Sequence, residues 1–170
     1  MNRRNVLSIS AGTALMLAIL SGSAISQQKS LKDQLLGSWT LVSWERVLPN
    51  GSKVQSYGTN PKGMVTFEAN GRMFLMFARP DLPKVASNVP QTATAEEAKA
   101  VVAGTLAYFG AYTVDDASRA LNLRLEASTF PNQVGNDQKR TITSLTAEEF
   151  KYETVALSGD KISVAFRRAR

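Results

Sequence analysis

The fold is decided by Gly37-Ser38-Trp39, which opens the first strand-like segment, together with Arg167-Arg168, which closes the last one. A glycine, a spacer and a large aromatic side chain, matched by a distant guanidinium, suit the place where the first and last strands of a closed β-barrel meet. A guanidinium over an indole gains about 0.5–2 kcal/mol through a cation–π contact. We therefore expect Gly37, Trp39 and one of the two arginines to close one end of a barrel.

Segments with strand character follow one another along the chain. In the best defined ones, between residues 120 and 129 and between 161 and 168, apolar and polar residues alternate, as in strands with one face in a core. Asn70-Gly71 is a strong hairpin signal. The predicted strands are Ser38–Val47, Ser52–Tyr57, Met64–Glu68, Arg72–Ala78, Thr105–Val114, Ala120–Thr129, Lys139–Leu145, Phe150–Thr154 and Lys161–Arg168. Their short connections predict an all-β fold: a closed antiparallel up-and-down barrel of about 8–9 strands.

One helix interrupts the strands, from Thr94 to about Gly104. Thr94 and Glu97 have the spacing of a capping box, in which each side chain bonds the other residue's backbone amide. The preceding run Met73–Phe77 is apolar on both faces, so we expect something to cover its outer face. The helix can do this by packing against the barrel wall, or it can lie at the barrel mouth as a mobile lid.

The first 26 residues have the pattern of a secretory signal peptide. Arg3 and Arg4 precede an apolar stretch, and small residues then offer cleavage after Ala24 or after Ser26. An uncleaved anchor and a twin-arginine signal are the alternatives. We expect the protein to be periplasmic or secreted, with a mature domain that spans residues 27–170. We expect no stable membrane insertion after cleavage.

Composition excludes several function classes. The chain has no histidine and no cysteine, so it has no Ser-His-Asp triad, thiolate nucleophile, or imidazole or thiolate metal site. Its net charge of +6 falls by two once Arg3 and Arg4 are removed, and no basic stripe with interleaved aromatics predicts nucleic-acid binding. The acidic pair Asp115-Asp116 lacks the alternating oxygen ligands of a calcium loop. We expect no metal, no cofactor and no nucleic-acid partner.

The Gly37-Ser38-Trp39 motif resembles the G-x-W motif of lipocalins, and the wider pattern is similar to the bacterial lipocalin-like domain family. Five segments carry this resemblance: 36–41, 57–63, 78–83, 107–114, and 128–132 continued through 137–140. The resemblance implies a calycin-type barrel. The chain departs from true lipocalins because it has no T-D-Y motif, no disulfide and a helix inserted between strands, so their ligands do not carry over.

Ligand-binding candidates come from one strand face and from the loops. Tyr108 and Tyr112 share a face with Gly110, which leaves room beside them, although both tyrosines also suit an ordinary core. Arg79 can clamp a carboxylate or can pair with Asp81. Weaker candidates are Tyr57, Phe130 and Arg140.

Two function classes remain. The first is an exported protein that binds a small apolar or aromatic, possibly acidic, ligand in the barrel. The second is a non-hydrolytic enzyme, such as an isomerase, cyclase or decarboxylase, that uses tyrosine, arginine and carboxylate groups in the same pocket. The sequence favours binding, because no base has a partner to orient it. An interior filled by side chains such as Tyr108, Tyr112, Phe67 and Phe166 would argue against a pocket inside the barrel.

Overall fold

The computed structural model describes residues 29–170, so the predicted signal peptide lies outside the described residues. The helices are α1 (Leu31–Leu35) and α2 (Ala95–Gly104), and two short 3₁₀ turns lie at Pro90–Thr92 and Pro131–Gln133. The strands are β1 (Gly37–Val47), β2 (Lys53–Gln55), β3 (Lys62–Phe67), β4 (Arg72–Ala78), β5 (Thr105–Asp115), β6 (Ala120–Ser128), β7 (Asp137–Leu145), β8 (Glu149–Val155) and β9 (Lys161–Arg168). Neither described helix combines the length and the apolar character needed to cross a bilayer.

The strands form a closed antiparallel barrel. From β3 onward each strand pairs with its neighbour in the chain, and β1 pairs with both β3 and β9, which closes the ring. Strand β2 is an extra strand that pairs only with the end of β1, where Glu45 lies opposite Gln55. Eight strands therefore make the barrel, and the predicted fold class is confirmed.

Alternating side chains build the core as the sequence predicts. In β6 the leucines at 121, 123 and 125 are buried, whereas Arg124 and Glu126 face solvent. In β9 the side chains of Ile162, Val164 and Phe166 point inward. An eight-stranded barrel has an interior just wide enough for such side chains to fill.

One end of the barrel is sealed by Trp39, Arg168 and helix α1. The indole is fully buried and its Nε1 donates to the Leu35 carbonyl at 2.7 Å. The Arg168 guanidinium lies 3.6 Å from the indole ring centroid and donates to the carbonyls of Leu36 at 2.6 Å and Gln34 at 2.8 Å. We call this the closed end.

The two neighbouring arginines occupy different sides of the barrel wall. Arg168 covers Trp39, whereas the side chain of Arg167 is exposed on the outside. Gly37 has a φ of +97°, which favours glycine, and a Cβ there would lie 3.4 Å from the Arg168 Nη1. Glycine at position 37 thus lets the chain turn into β1 next to the Arg168 guanidinium.

The capping box of α2 is present as predicted, but its position corrects one expectation. Thr94 Oγ1 accepts from the Glu97 amide at 3.2 Å, and the Glu97 carboxylate accepts from the Thr94 amide at 2.8 Å. The helix lies at the rim of the other end of the barrel, with Val102 69% exposed. It does not cover the outer face of β4, where Phe74 is 50% and Met76 48% exposed.

Gly110 also differs from its predicted role. A Cβ at this position would lie 2.1 Å from the Arg124 carbonyl oxygen and 2.9 Å from the Leu125 Cα. The β5–β6 register shifts between Phe109 and Gly110, so the backbone of β6 fills the space that a side chain would take. Gly110 therefore allows two strands to approach closely and does not make room for a ligand.

We expect Arg168→Met to destabilise the protein and Arg167→Met to leave its stability nearly unchanged. The first change removes charged donors from backbone carbonyls, each worth about 1.5–3 kcal/mol before solvent exposure is discounted, together with the indole contact. We expect a loss of about 2–4 kcal/mol in the free energy of unfolding, measured by urea denaturation. The exposed control should change it by less than about 0.5 kcal/mol. Equal losses would contradict the assignment of Arg168 as the closing residue.

Candidate functional site

The part of the barrel interior next to the closed end is filled by side chains. Phe150 and Phe166 stack at the centre with their ring centroids 5.3 Å apart and an interplanar angle of 14°. The free space among the core residues here is about 10 Å³, enough for one water molecule at most. This region has no room for a ligand, because bulky aromatic side chains fill it.

Larger hollows lie at both ends of the barrel: one of about 400 Å³ on the outside of the closed end, beside Arg168 and Gln34, and two at the opposite end. Two adjoining hollows of about 440 and 280 Å³ share the side chains of Trp44, Phe130 and Ile162. We call them together the mouth cleft. Its walls also include Tyr57 on one side, and the turn after β8, around Ala156, on the other. A volume of this order and a largely apolar wall are typical of small-molecule sites.

A bulge in β1 turns Trp44 toward the cleft. The β1–β9 register shifts between Leu41 and Ser43, so that Val42 is an additional residue in β1. Trp39 and Leu41 face the interior before the bulge, and Trp44 lines the cleft after it. The Trp44 ring meets the rings of Phe77 and Tyr57 edge-on, with centroids 5.1 and 5.6 Å away.

Arg140 forms the floor of the mouth cleft. The alternation in β7 places Gln138, Arg140 and Ile142 on its inner face, and Arg140 is 3% exposed. It lines both the cleft and the filled interior beneath it. Its Nη2 donates to the Tyr108 hydroxyl at 2.9 Å and to the Gln138 Oε1 at 3.0 Å.

The guanidinium of Arg140 is incompletely satisfied. Among residues 29–170 its Nε and Nη1 have no hydrogen-bond partner, and no carboxylate forms an ion pair with it. The guanidinium lies 5.2 Å from the ring centroid of Tyr152 and 5.8 Å from that of Tyr108, which offers partial cation–π compensation. Each unsatisfied buried donor costs about 1–3 kcal/mol, more when charged, and arginine does not escape by losing its proton.

Three tyrosine hydroxyls near this region stay protonated. Burial raises the pKa of Tyr108 well above its usual value, raises the pKa of Tyr152, and raises that of Tyr57 to about 12. The Tyr152 hydroxyl is buried and makes no hydrogen bond of good geometry with another described group, although it lies near enough to the Arg140 guanidinium to help raise the pKa of that arginine. Tyr108 and Tyr152 therefore present neutral hydroxyl groups close to the cationic guanidinium of Arg140.

A family comparison agrees with this architecture. The model of the lipocalin-like domain family matches residues 36–165, which is most of the chain. The chain belongs to the lipocalin-like domain family. No curated protein matches this lipocalin-like chain significantly.

Several solved structures resemble the lipocalin-like barrel at low sequence identity. A lipocalin-like protein from Bacteroides uniformis is 15% identical, with a TM-score of 0.43, over 80% of this chain and 99% of that one. A redesigned β-barrel, mFAP1, bound to DFHBI, is 14% identical, with a TM-score of 0.43, over 82% and 100%. A bovine odorant binding protein triple mutant is 15% identical, with a TM-score of 0.40, over 80% and 74%.

The lipocalin-like barrel brings four of the six predicted ligand residues to one region. Arg140, Tyr57 and Phe130 line the mouth cleft, and Tyr108 bonds Arg140 from the interior side. Each comes from a different segment of the chain, and the closed ring of strands holds them together.

The other two predicted residues lie elsewhere. The Tyr112 hydroxyl donates to the Glu68 carbonyl at 2.9 Å, beside the β3–β4 turn at the closed end. Arg79 takes the alternative that the sequence left open, since its Nε and Nη2 donate to the Asp81 carboxylate at 2.9 and 2.8 Å. Neither residue lines the mouth cleft.

Sequence reasoning missed Trp44, Gln138 and Tyr152. A signal for two of them was present, because residues two apart on a strand lie on the same face. Gln138 is two residues from Arg140, and Tyr152 is two residues from Phe150. Trp44 had no such signal, since a strand without a bulge would place it on the face opposite Trp39.

The described part of this lipocalin-like protein contains no group of three or more acidic side chains placed to hold a metal ion. Of the carboxylates that line the cleft, Asp160 pairs with Arg46 at 3.6 Å, and Asp137 is exposed at the rim. Neither is a hydrogen-bond partner of Arg140. Arg140 thus remains the one buried charged side chain among residues 29–170.

We expect Tyr108→Phe to cost about 1.5–3 kcal/mol of the free energy of unfolding, because it removes an acceptor from a buried guanidinium. The matched change Tyr152→Phe deletes a hydroxyl without a partner and should cost less than about 0.5 kcal/mol, or stabilise the protein. Urea denaturation followed by far-ultraviolet circular dichroism measures both. A loss for Tyr152→Phe as large as that for Tyr108→Phe would show that the Tyr152 hydroxyl does have a partner.

Proposed function

We propose that this protein is an exported small-molecule carrier or sensor that binds an apolar or aromatic ligand in the mouth cleft. The family supports a binding role at the level of the fold. The observation that carries the proposal is the uneven distribution of space, about 10 Å³ in the filled interior against hollows of about 440 and 280 Å³ at the mouth.

The chemistry of the walls supports the choice of ligand class. Trp44, Phe130 and Ile162 present apolar surface on facing parts of the cleft. Aromatic side chains contribute large contact areas with few rotatable bonds, so a planar apolar ligand gains contact at a small entropic cost. Polar side chains interrupt these walls, with Arg140 and Gln138 at the floor and the charged side chains of Asp137 and Lys139 at the rim. Polar groups of this kind orient a ligand within a small-molecule pocket.

Binding is better supported than catalysis. The enzyme alternative needs a carboxylate beside Tyr108 and Arg140 to move a proton. Glu126 is not available for that role, because it faces solvent on β6 and is ion-paired with Arg72. Of the carboxylates that line the cleft, neither Asp137 nor Asp160 forms a hydrogen bond with a tyrosine hydroxyl.

We expect the protein to bind the neutral fluorophore N-phenyl-1-naphthylamine, with increased and blue-shifted emission. Ala156 lines both hollows of the cleft, so Ala156→Phe fills part of the space and should weaken binding at least about tenfold. Ala165→Phe, on the outer face of β9, is the matched control and should leave the affinity within about twofold.

Two results would contradict the mouth cleft as the site. One is a wild-type protein that does not enhance the fluorophore's emission at all. The other is equal weakening by Ala156→Phe and Ala165→Phe, with both variants folded by circular dichroism. That second result would place the bound fluorophore outside the cleft.

Export is the second part of the proposal. It rests on the pattern of Arg3-Arg4, the apolar stretch and the small residues that follow. We expect the protein recovered from the periplasm or the medium to begin at Ile25 or Gln27, as read by intact mass. Replacing both arginines with lysine would block twin-arginine export but leave general secretion active. Recovery of the uncleaved chain from the membrane fraction would contradict cleavage.

A further inference from the structure

We propose that the ligand of the mouth cleft carries a single carboxylate, and that Arg140 binds it. This inference rests on the proposed binding function and specifies the chemistry of its ligand. Arg140 is 3% exposed, lines the floor of the cleft, and retains unpartnered donors at Nε and Nη1 within residues 29–170. A buried guanidinium with no counter-ion is a site prepared for an anion.

The rest of the cleft wall does not supply the missing negative charge. Arg46 and Asp160 form an ion pair with each other, 3.6 Å apart. Lys139 and Asp137 are both exposed at the rim and have opposite formal charges. The cleft therefore carries one net positive charge, at Arg140, which matches a ligand with one negative charge.

The shape and polarity of the cleft favour a carboxylate joined to an apolar body. The guanidinium is at the floor, whereas Trp44, Phe130 and Ile162 line the walls above it. A ligand that enters head-first places its anionic group against Arg140 and its apolar part against these side chains. Arginine is well matched to carboxylate oxygens, and such charge-assisted hydrogen bonds are roughly twice as strong as neutral ones.

Gln138 bonds the same Arg140 nitrogen that a ligand carboxylate would bond. Its Oε1 accepts from Arg140 Nη2 at 3.0 Å, and its amide nitrogen is held only by a 3.4 Å hydrogen bond to the Gln133 carbonyl. The side chain is half-buried and lines the cleft. A ligand carboxylate oxygen can replace Gln138 Oε1 as the acceptor of Arg140 Nη2. The Tyr108 hydroxyl, on the interior side of Arg140, can keep its own hydrogen bond from Nη2.

A matched pair of probes tests the proposal. The probes are 2-naphthoate and its neutral analogue 2-naphthamide, with affinities measured by isothermal titration calorimetry at pH 7.5. We expect wild-type protein to bind 2-naphthoate at least about tenfold more tightly than 2-naphthamide. In Arg140→Met this preference should fall to about one, because the apolar side chain offers no charge.

Arg167→Met is the matched control, since it removes the same charge from the outside of the barrel and leaves the charges of the cleft unchanged. We expect it to keep the preference for 2-naphthoate within about twofold of wild type. Arg140→Gln provides a second neutral variant, which can still donate to the Tyr108 hydroxyl if Arg140→Met does not fold. It too should lose the preference.

The outcomes separate this inference from the proposed function. If N-phenyl-1-naphthylamine binds in the cleft but wild type does not prefer 2-naphthoate, the cleft stands and the carboxylate assignment is overturned. A preference retained by both Arg140 variants, or lost in Arg167→Met, overturns the assignment to Arg140. Failure of all three probes to bind overturns the proposed function itself.

Discussion

The structure depends on the closure of β1 onto β9. A sheet that did not close would expose two edges with unpaired backbone groups, and its interior would have no continuous wall. Closure is completed at one end by Arg168, whose donors bond the carbonyls of Gln34 and Leu36, just where α1 ends. The last carbonyls of a helix have no partners within it, so one guanidinium satisfies them and covers the indole of Trp39. The helix, the first strand and the last strand are thereby joined by a single side chain.

Arg168 and Arg140 show how one residue type serves different purposes at the two ends. Every guanidinium nitrogen of Arg168 donates to a backbone carbonyl, including Nε to Ala147 at 3.1 Å. Arg140 is more deeply buried, yet only its Nη2 has partners among the described residues. Hydrogen-bond satisfaction, and not burial alone, separates the structural arginine from the one suited to a ligand.

Much of the fold could be predicted because the barrel follows local rules. Alternation identified β9 as Lys161–Arg168, and the Asn70-Gly71 hairpin signal located β4 as Arg72–Ala78, both with their observed bounds. The capping box of Thr94 and Glu97 identified the start of α2. The position of α2 could not be predicted, because a helix with a short apolar face packs equally well on a wall or at a rim. Nothing in its sequence showed that Phe74 and Met76 would stay half-exposed.

The candidate site was harder to predict, for two physical reasons. Alternation placed Arg140 on the inner face of β7, but no sequence rule shows whether a buried arginine will find a carboxylate. Trp44 depends on the bulge at Val42, which reverses the inward and outward faces of β1 halfway along the strand. A one-residue irregularity is not visible in composition or periodicity, so the residue that lines the cleft could not be distinguished from one facing solvent.

The bulge also divides β1 into two parts with separate duties. Trp39, before Val42, belongs to the closed end, and Trp44, after it, lines the mouth cleft. Substitutions in the second half can therefore reshape the mouth without disturbing Trp39 or its guanidinium cover. A barrel built in this way has a first strand with two separable parts, so that the shape of its mouth can change while its closed end is conserved.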